Sequence, residues 1–151
     1  MDNRERLGGV MDEARALIKT EGVSCVVIRG DEIIHTADGR GVAPLLDLYN
    51  NDREKLKGGV VVDRIIGKAA AMILALGQAE SAYGEVMSEP ARDYLISREI
   101  PYQFGQCVEV IAGRDGTGMC PIEASVLAID DPEAGLTAMT KRIAELRQGA
   151  G

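Results

Sequence analysis

Twice in succession an apolar, β-rich run gives way through a turn to a run with helical signals, and this alternation constrains the chain more than any other feature. Gly58-Gly59 leads into Val60-Val61-Val62, Gly67 breaks the pattern, and residues 68–76 form an Ala-rich helix stopped by Gly77. Residues 81–87 then resume a strand, Ser88 is a cap, Pro90 stands at a first helical position, and residues 91–98 form the next helix. Two strands joined through a helix must lie parallel. Parallel strands are covered on both faces, which explains an unbroken Val60-Val61-Val62.

The flanking segments complete the pattern. Val10, Ala14, Leu17 and Ile18 recur at helical spacing ahead of Gly22. Residues 24–28 and 32–36 read as strands joined by the turn dipeptide Gly30-Asp31, a hairpin. Pro44 opens a short helix bearing Leu45, Leu46, Leu48 and Tyr49. Residues 102–112 read as a further strand and residues 113–118 as a glycine-rich loop; Pro121 opens a short helix, and Asp131-Pro132 caps an amphipathic helix running to about Leu146. The main order is α-β-β-α-β-α-β-α-β-α. It predicts an α/β fold: a three-layer α-β-α sandwich around a mixed five-stranded sheet, in a single domain spanning 1–151 with its core at about 10–147.

Composition narrows the function. A formal charge of -7 disfavours the phosphate attraction on which nucleic-acid and anionic-membrane binding depend. Four tyrosines, one phenylalanine and no tryptophan leave few platforms for stacking bases. Neither a nucleic acid nor a membrane is therefore expected as a partner. The opening MDNRERLGGV lacks the apolar run of a signal peptide, and residues 69–76 fall far short of a membrane span. Cys25, Cys107 and Cys120 form an odd set without a CxxC pattern, which fits a reducing compartment and a soluble, unprocessed, cytoplasmic protein.

Three segments at the strand-to-helix junctions carry a resemblance: Asp63-Arg64-Ile65-Ile66-Gly67-Lys68-Ala69-Ala70-Ala71, Gly84-Glu85-Val86-Met87-Ser88-Glu89-Pro90-Ala91 and Gly118-Met119-Cys120-Pro121-Ile122-Glu123. Together, over residues 16–129, they resemble an uncharacterised prokaryotic family of unknown function that looks like a divergent branch of the cytidine-deaminase-like fold. In zinc deaminases a helix-opening His-x-Glu and a Pro-Cys-x-x-Cys hold a water-activating metal. Here Ile66, Gly67 and Lys68 stand near the first motif, and Ala91 and Tyr94 occupy the thiolate positions of the second. The only histidine, His35, falls in the hairpin. The resemblance therefore implies a scaffold without its zinc, and no metal or cofactor is expected.

Ligands of open α/β sheets gather at the carboxyl ends of the strands, where helix N-termini present unpaired N–H groups. Lys68 lies in a first helical turn, where a cation opposes the helix dipole, so it calls for an anionic partner: Asp63, a phosphate or a ligand carboxylate. Glu85 is a carboxylate within a strand that otherwise reads as buried. Ser88 and Glu89 stand at a helix start, and Cys120 beside Pro121 is a candidate nucleophile. Each also has a plain structural reading as an ion pair, a cap or a core residue.

The leading expectation is a metal-free protein that binds a small molecule through Asp63, Lys68, Glu85, Ser88, Glu89 and Cys120. A nucleotide, nucleoside or sugar-like metabolite is the expected ligand class, with anions among the candidates. The alternatives are an enzyme using Cys120 as nucleophile or Glu85 as acid and base without zinc, and a structural or regulatory module acting through its first or last helix. A homo-oligomer is compatible with any of these.

Overall fold

The two strand-to-helix alternations form adjacent parallel pairs in one sheet. The computed structural model describes residues 3–113, 116 and 118–150. Helix α1 (Asn3–Thr20) leads into the hairpin β1 (Cys25–Arg29) and β2 (Glu32–Ala37), then α2 (Ala43–Asp52) with a 3-10 turn at Arg53–Lys55. There follow β3 (Val60–Ile66), α3 (Lys68–Leu76), β4 (Ser81–Ser88), α4 (Glu89–Ser97), β5 (Tyr102–Val108), α5 (Pro121–Val126) and α6 (Pro132–Ala150).

The sheet order is β2-β1-β3-β4-β5. Strand β1 runs antiparallel to β2 and β3, whereas β3, β4 and β5 run parallel. The sheet is therefore mixed and five-stranded, as the sequence pattern predicts.

The two faces are covered unequally. Ala14 and Ile18 of α1 pack with Val26, Ile28, Val62 and Tyr83 on one side. The other side holds the main core, where Leu45 and Leu48 of α2, Met72 and Leu74 of α3 and Leu95 of α4 lie against Val27 and Val61. Helix α3 is the hub of that layer: residues 69–74 are all buried, which its Ala-rich sequence permits by letting neighbouring backbones approach. Gly135 in α6 comes close to this helix, and a Cβ there would run into the sulfur of Met72.

Several boundaries differ from the sequence reading: α1 begins at Asn3 ahead of Val10, and α6 runs on past Leu146 to Ala150. Asp63 and Arg64 lie inside β3, which continues to Ile66. Strand β5 ends at Val108, short of residue 112, because Val108 pairs with Ser88, the last residue of β4, and β4 has no further residue to offer. Ala112 instead bridges to Met119 across the loop. Of that glycine-rich loop, Arg114, Asp115 and Thr117 lie outside the described residues. Among the described residues no helix is long and apolar enough to cross a membrane.

Met72 is fully buried between α3 and α6. Met72→Ala is expected to cost about 2–5 kcal/mol of folding free energy in urea titrations, a cavity the facing Gly135 has no side chain to fill.

Candidate functional site

The carboxyl end of β3 opens directly into α3, whose first N–H groups need partners. They find one in a residue distant in sequence. Glu123 of α5 accepts the backbone N–H of Lys68 through Oε1 at 2.6 Å and that of Ala69 through Oε2 at 3.0 Å. Gly67, the N-cap of α3, offers no side-chain cap, and its φ of -99° is open to any residue. Its lack of a Cβ matters for a different reason: a methyl group there would overlap the Glu123 carboxylate.

The reverse contact is made by Lys68. Its ammonium donates to the carbonyl of Leu127, the C-cap of α5, at 2.7 Å and lies 5.8 Å from the centre of the Tyr94 ring. Helices α3 and α5 thus cap each other, one receiving a carboxylate at its N-terminus and the other an ammonium at its C-terminus. Opposing a helix dipole costs Lys68 about 0.3–1 kcal/mol. Hydrogen bonds to a charged group contribute about 1.5–3 kcal/mol each, so the two on Glu123 outweigh that penalty. Helix α4 extends the clasp: the Tyr94 hydroxyl and the Arg98 guanidinium each donate to the Asp130 carbonyl at 2.9 Å.

Beside the clasp lies a crevice of about 50 Å³. Its walls are apolar, formed by Val42, Ile65, Ala70, Ile111 and Ile122. Cys120 and Glu123 bring polar atoms to it. The backbone N–H of Cys120 is tied to the Ile111 carbonyl at 2.9 Å, which brings the loop after β5 over the crevice. Burial raises the pKa of Glu123, against the two backbone N–H groups and the Lys68 charge that lower it.

The residues singled out from the sequence are thereby divided. Cys120 lines the crevice, and Lys68 braces it through α5. The anion at the N-terminus of α3 is Glu123, so Lys68 marks a contact within the chain. Ser88 is buried and caps α4, accepting the Ala91 N–H at 3.2 Å, and Glu89 is exposed in the first turn of that helix. Glu85 faces the opposite layer: its carboxylate accepts from Arg15 Nε of α1 at 2.9 Å and from the Tyr83 hydroxyl at 3.5 Å, with Lys19 Nζ at 3.9 Å. The physical reason is strand alternation, which puts Glu85 on the same face as Tyr83, beneath α1.

Asp63 is buried in β3 opposite Cys25 of β1. Its Oδ1 accepts the Ile65 N–H at a long 3.4 Å. Burial pushes its pKa up to about 7, against the lowering effect of the Ile65 and Arg64 backbone N–H groups and the Arg64 charge. Burial, with Asp63 close by, also drives the Cys25 thiol well up.

Glu123 went unrecognised from sequence. In Cys120-Pro121-Ile122-Glu123 it looks like an ordinary acidic residue in a first helical turn. Its partners lie 55 and 54 residues away.

The chain matches, over residues 13–143, the family described as TM1506: Domain of unknown function (DUF1893). It belongs to that family. A crystal structure of a DUF1893 family protein (TM1506) from Thermotoga maritima is similar, with a TM-score of 0.80 and 25% identity over 89% of this chain and 90% of that one. A mutant of NE0047 in complex with 8-azaguanine gives a TM-score of 0.43 at 12% identity, over 95% of this chain and 86% of that one, too low to carry an argument. The chain matches none of the curated protein sequences compared with it.

A zinc of the deaminase design does not fit the residues at the second junction of this DUF1893 chain. Ala91 is fully buried with its N–H on Ser88, and the Tyr94 hydroxyl is bonded to Asp130. Among the described residues no group of three His, Cys, Asp or Glu side chains could hold a metal ion.

Two outcomes follow from this geometry. Gly67→Ala should displace Glu123 from the α3 amides and lower stability by about 1–3 kcal/mol in chemical denaturation, although its backbone conformation is unstrained. For Asp63, a folded-state pKa near 7 lies above the ordinary 3.8, so the folded protein retains a proton that the unfolded chain releases. The stabilisation this gives is present below about pH 4 and lost as the pH rises towards 7. Between pH 5 and 8 the wild type should therefore lose about 2 kcal/mol more than Asp63→Asn; parallel profiles in urea titrations would show that Asp63 does not titrate in this range.

Proposed function

We propose that this DUF1893 chain is a metal-free small-molecule-binding protein on a zinc-less branch of the deaminase-like scaffold, with the crevice beside Glu123 as its binding site. The observation that carries this reading is a buried acidic residue, Glu123, among the lining of an otherwise apolar crevice near the carboxyl end of a parallel strand. Convergent polar groups in an apolar recess are the usual form of a ligand site, and strand carboxyl ends are its usual place in open α/β sheets. The deaminase-like relationship rests on the three junction motifs and their order along the chain.

A volume of about 50 Å³ holds about four water-sized atoms, so the crevice receives the end of a nucleoside or sugar-like metabolite and leaves the remainder outside. Use of Cys120 as a nucleophile would need a base close by. His35 stands in β2, paired with Val27, and Glu85 is engaged by Arg15. Binding is therefore the better-supported activity.

Thermal unfolding with adenosine, guanosine, cytidine and uridine tests the reading, alongside native mass spectrometry of the purified protein. A nucleoside present at about a hundred times its dissociation constant should raise Tm by about 5–10 °C. Ala70→Leu, which fills the crevice from α3, should abolish the shift. If no nucleoside shifts the transition and no small molecule co-purifies, the reading fails.

A further inference from the structure

A wider recess, of about 220 Å³, lies at the opposite end of the sheet from the crevice, where Val60, Ser81 and Tyr102 open β3, β4 and β5. It exists because one face of the sheet carries a single helix. Helix α1 packs over β1, β2 and β3, whereas α4 meets β4 and β5 from the main-core side. Met11 of α1 and Tyr83 of β4 both line the space left beside α1. None of its lining residues is charged, in a chain of which 27% is charged. Arg15, whose guanidinium lies 4.8 Å from the centre of the Tyr83 ring, is spent on Glu85 at 2.9 Å.

We propose that this recess is a second binding site, separate from the crevice, and that it takes an uncharged, flat, bicyclic aromatic group. The absence of charge in the lining sets the first property, because an ionised ligand would give up water for no partner. The lining sets the second: it gathers two of the five aromatic residues of the chain, Tyr83 and Tyr102, together with Met11 and Pro101. Aromatic rings and a thioether make favourable contacts with another ring beyond the area they bury. Volume sets the third, since an apolar cavity of about 150 Å³ takes up benzene and about 220 Å³ suits two fused rings. Ser81 and Gln103 are the polar members of the lining, which suits a ring carrying a nitrogen donor or acceptor.

The test titrates the wild-type protein at constant ionic strength with 7-azaindole, which is flat and uncharged, with indole-3-carboxylate, which is flat and charged, and with cyclohexanol, which is uncharged and not flat. Binding is followed through backbone amide signals in two-dimensional NMR. 7-Azaindole should shift the Ala82, Tyr83 and Gln103 signals saturably, with affinity at least about ten times that for either control. Met11→Trp, which fills the recess from α1, should abolish the shifts; if that variant does not fold, Gln103→Trp on the exposed strand β5 replaces it. Either control binding as tightly as 7-azaindole would overturn the assignment, as would unchanged binding in the filled variant or the absence of a saturable shift. Shifts at Lys68, Ala69 and Cys120 in place of those at β4 and β5 would put the ring in the crevice and overturn the second site. None of these failures touches the crevice reading, which the nucleoside measurements judge independently.

Discussion

The mutual capping of α3 and α5 is the interaction on which the carboxyl end of the sheet depends. Helix α5 has only six residues, too few to hold its shape without tertiary contacts. It is fixed because Glu123 reaches the first amides of α3 and Lys68 reaches the last carbonyl of α5. That clasp closes the long connection between β5 and α6. It also sets Ile122, Cys120 and Glu123 against the residues at the end of β3, and the crevice exists only because they meet.

The same contact accounts for three features of the sequence that otherwise look unrelated. Gly67 must be glycine because the carboxylate occupies the space a side chain would take. The unfavourable position of Lys68 at a helix start is compensated by Glu123 beneath it and used by α5. Tyr94, an aromatic residue in the middle of α4, secures the Asp130 carbonyl just beyond α5 through its hydroxyl.

Much of the architecture was legible because it is written in local patterns. The run Val60-Val61-Val62, the alanines of α3 and the Ser88 cap are features of neighbouring residues, and they specified the parallel strands and their crossovers. The site was less legible because its decisive contact is long-range. Nothing near Glu123 signals an N-terminus more than fifty residues away. For Glu85 the sequence did reveal a carboxylate on a central strand, but choosing its face required knowing that α1 lies over Tyr83 and brings Arg15 within 2.9 Å. The end of β5 was hidden for a related reason, since it is fixed by the length of β4.

Native-state hydrogen exchange at the Lys68 and Ala69 amides, compared between the wild type and Glu123→Gln, tests the central claim most directly. If the Glu123 carboxylate is what seats α5 on α3, those two amides should exchange at least ten times faster in the variant, while Ile73 and Leu74 deeper in α3 keep their protection. Equal exchange at Lys68 and Ala69 in the two proteins would contradict the account.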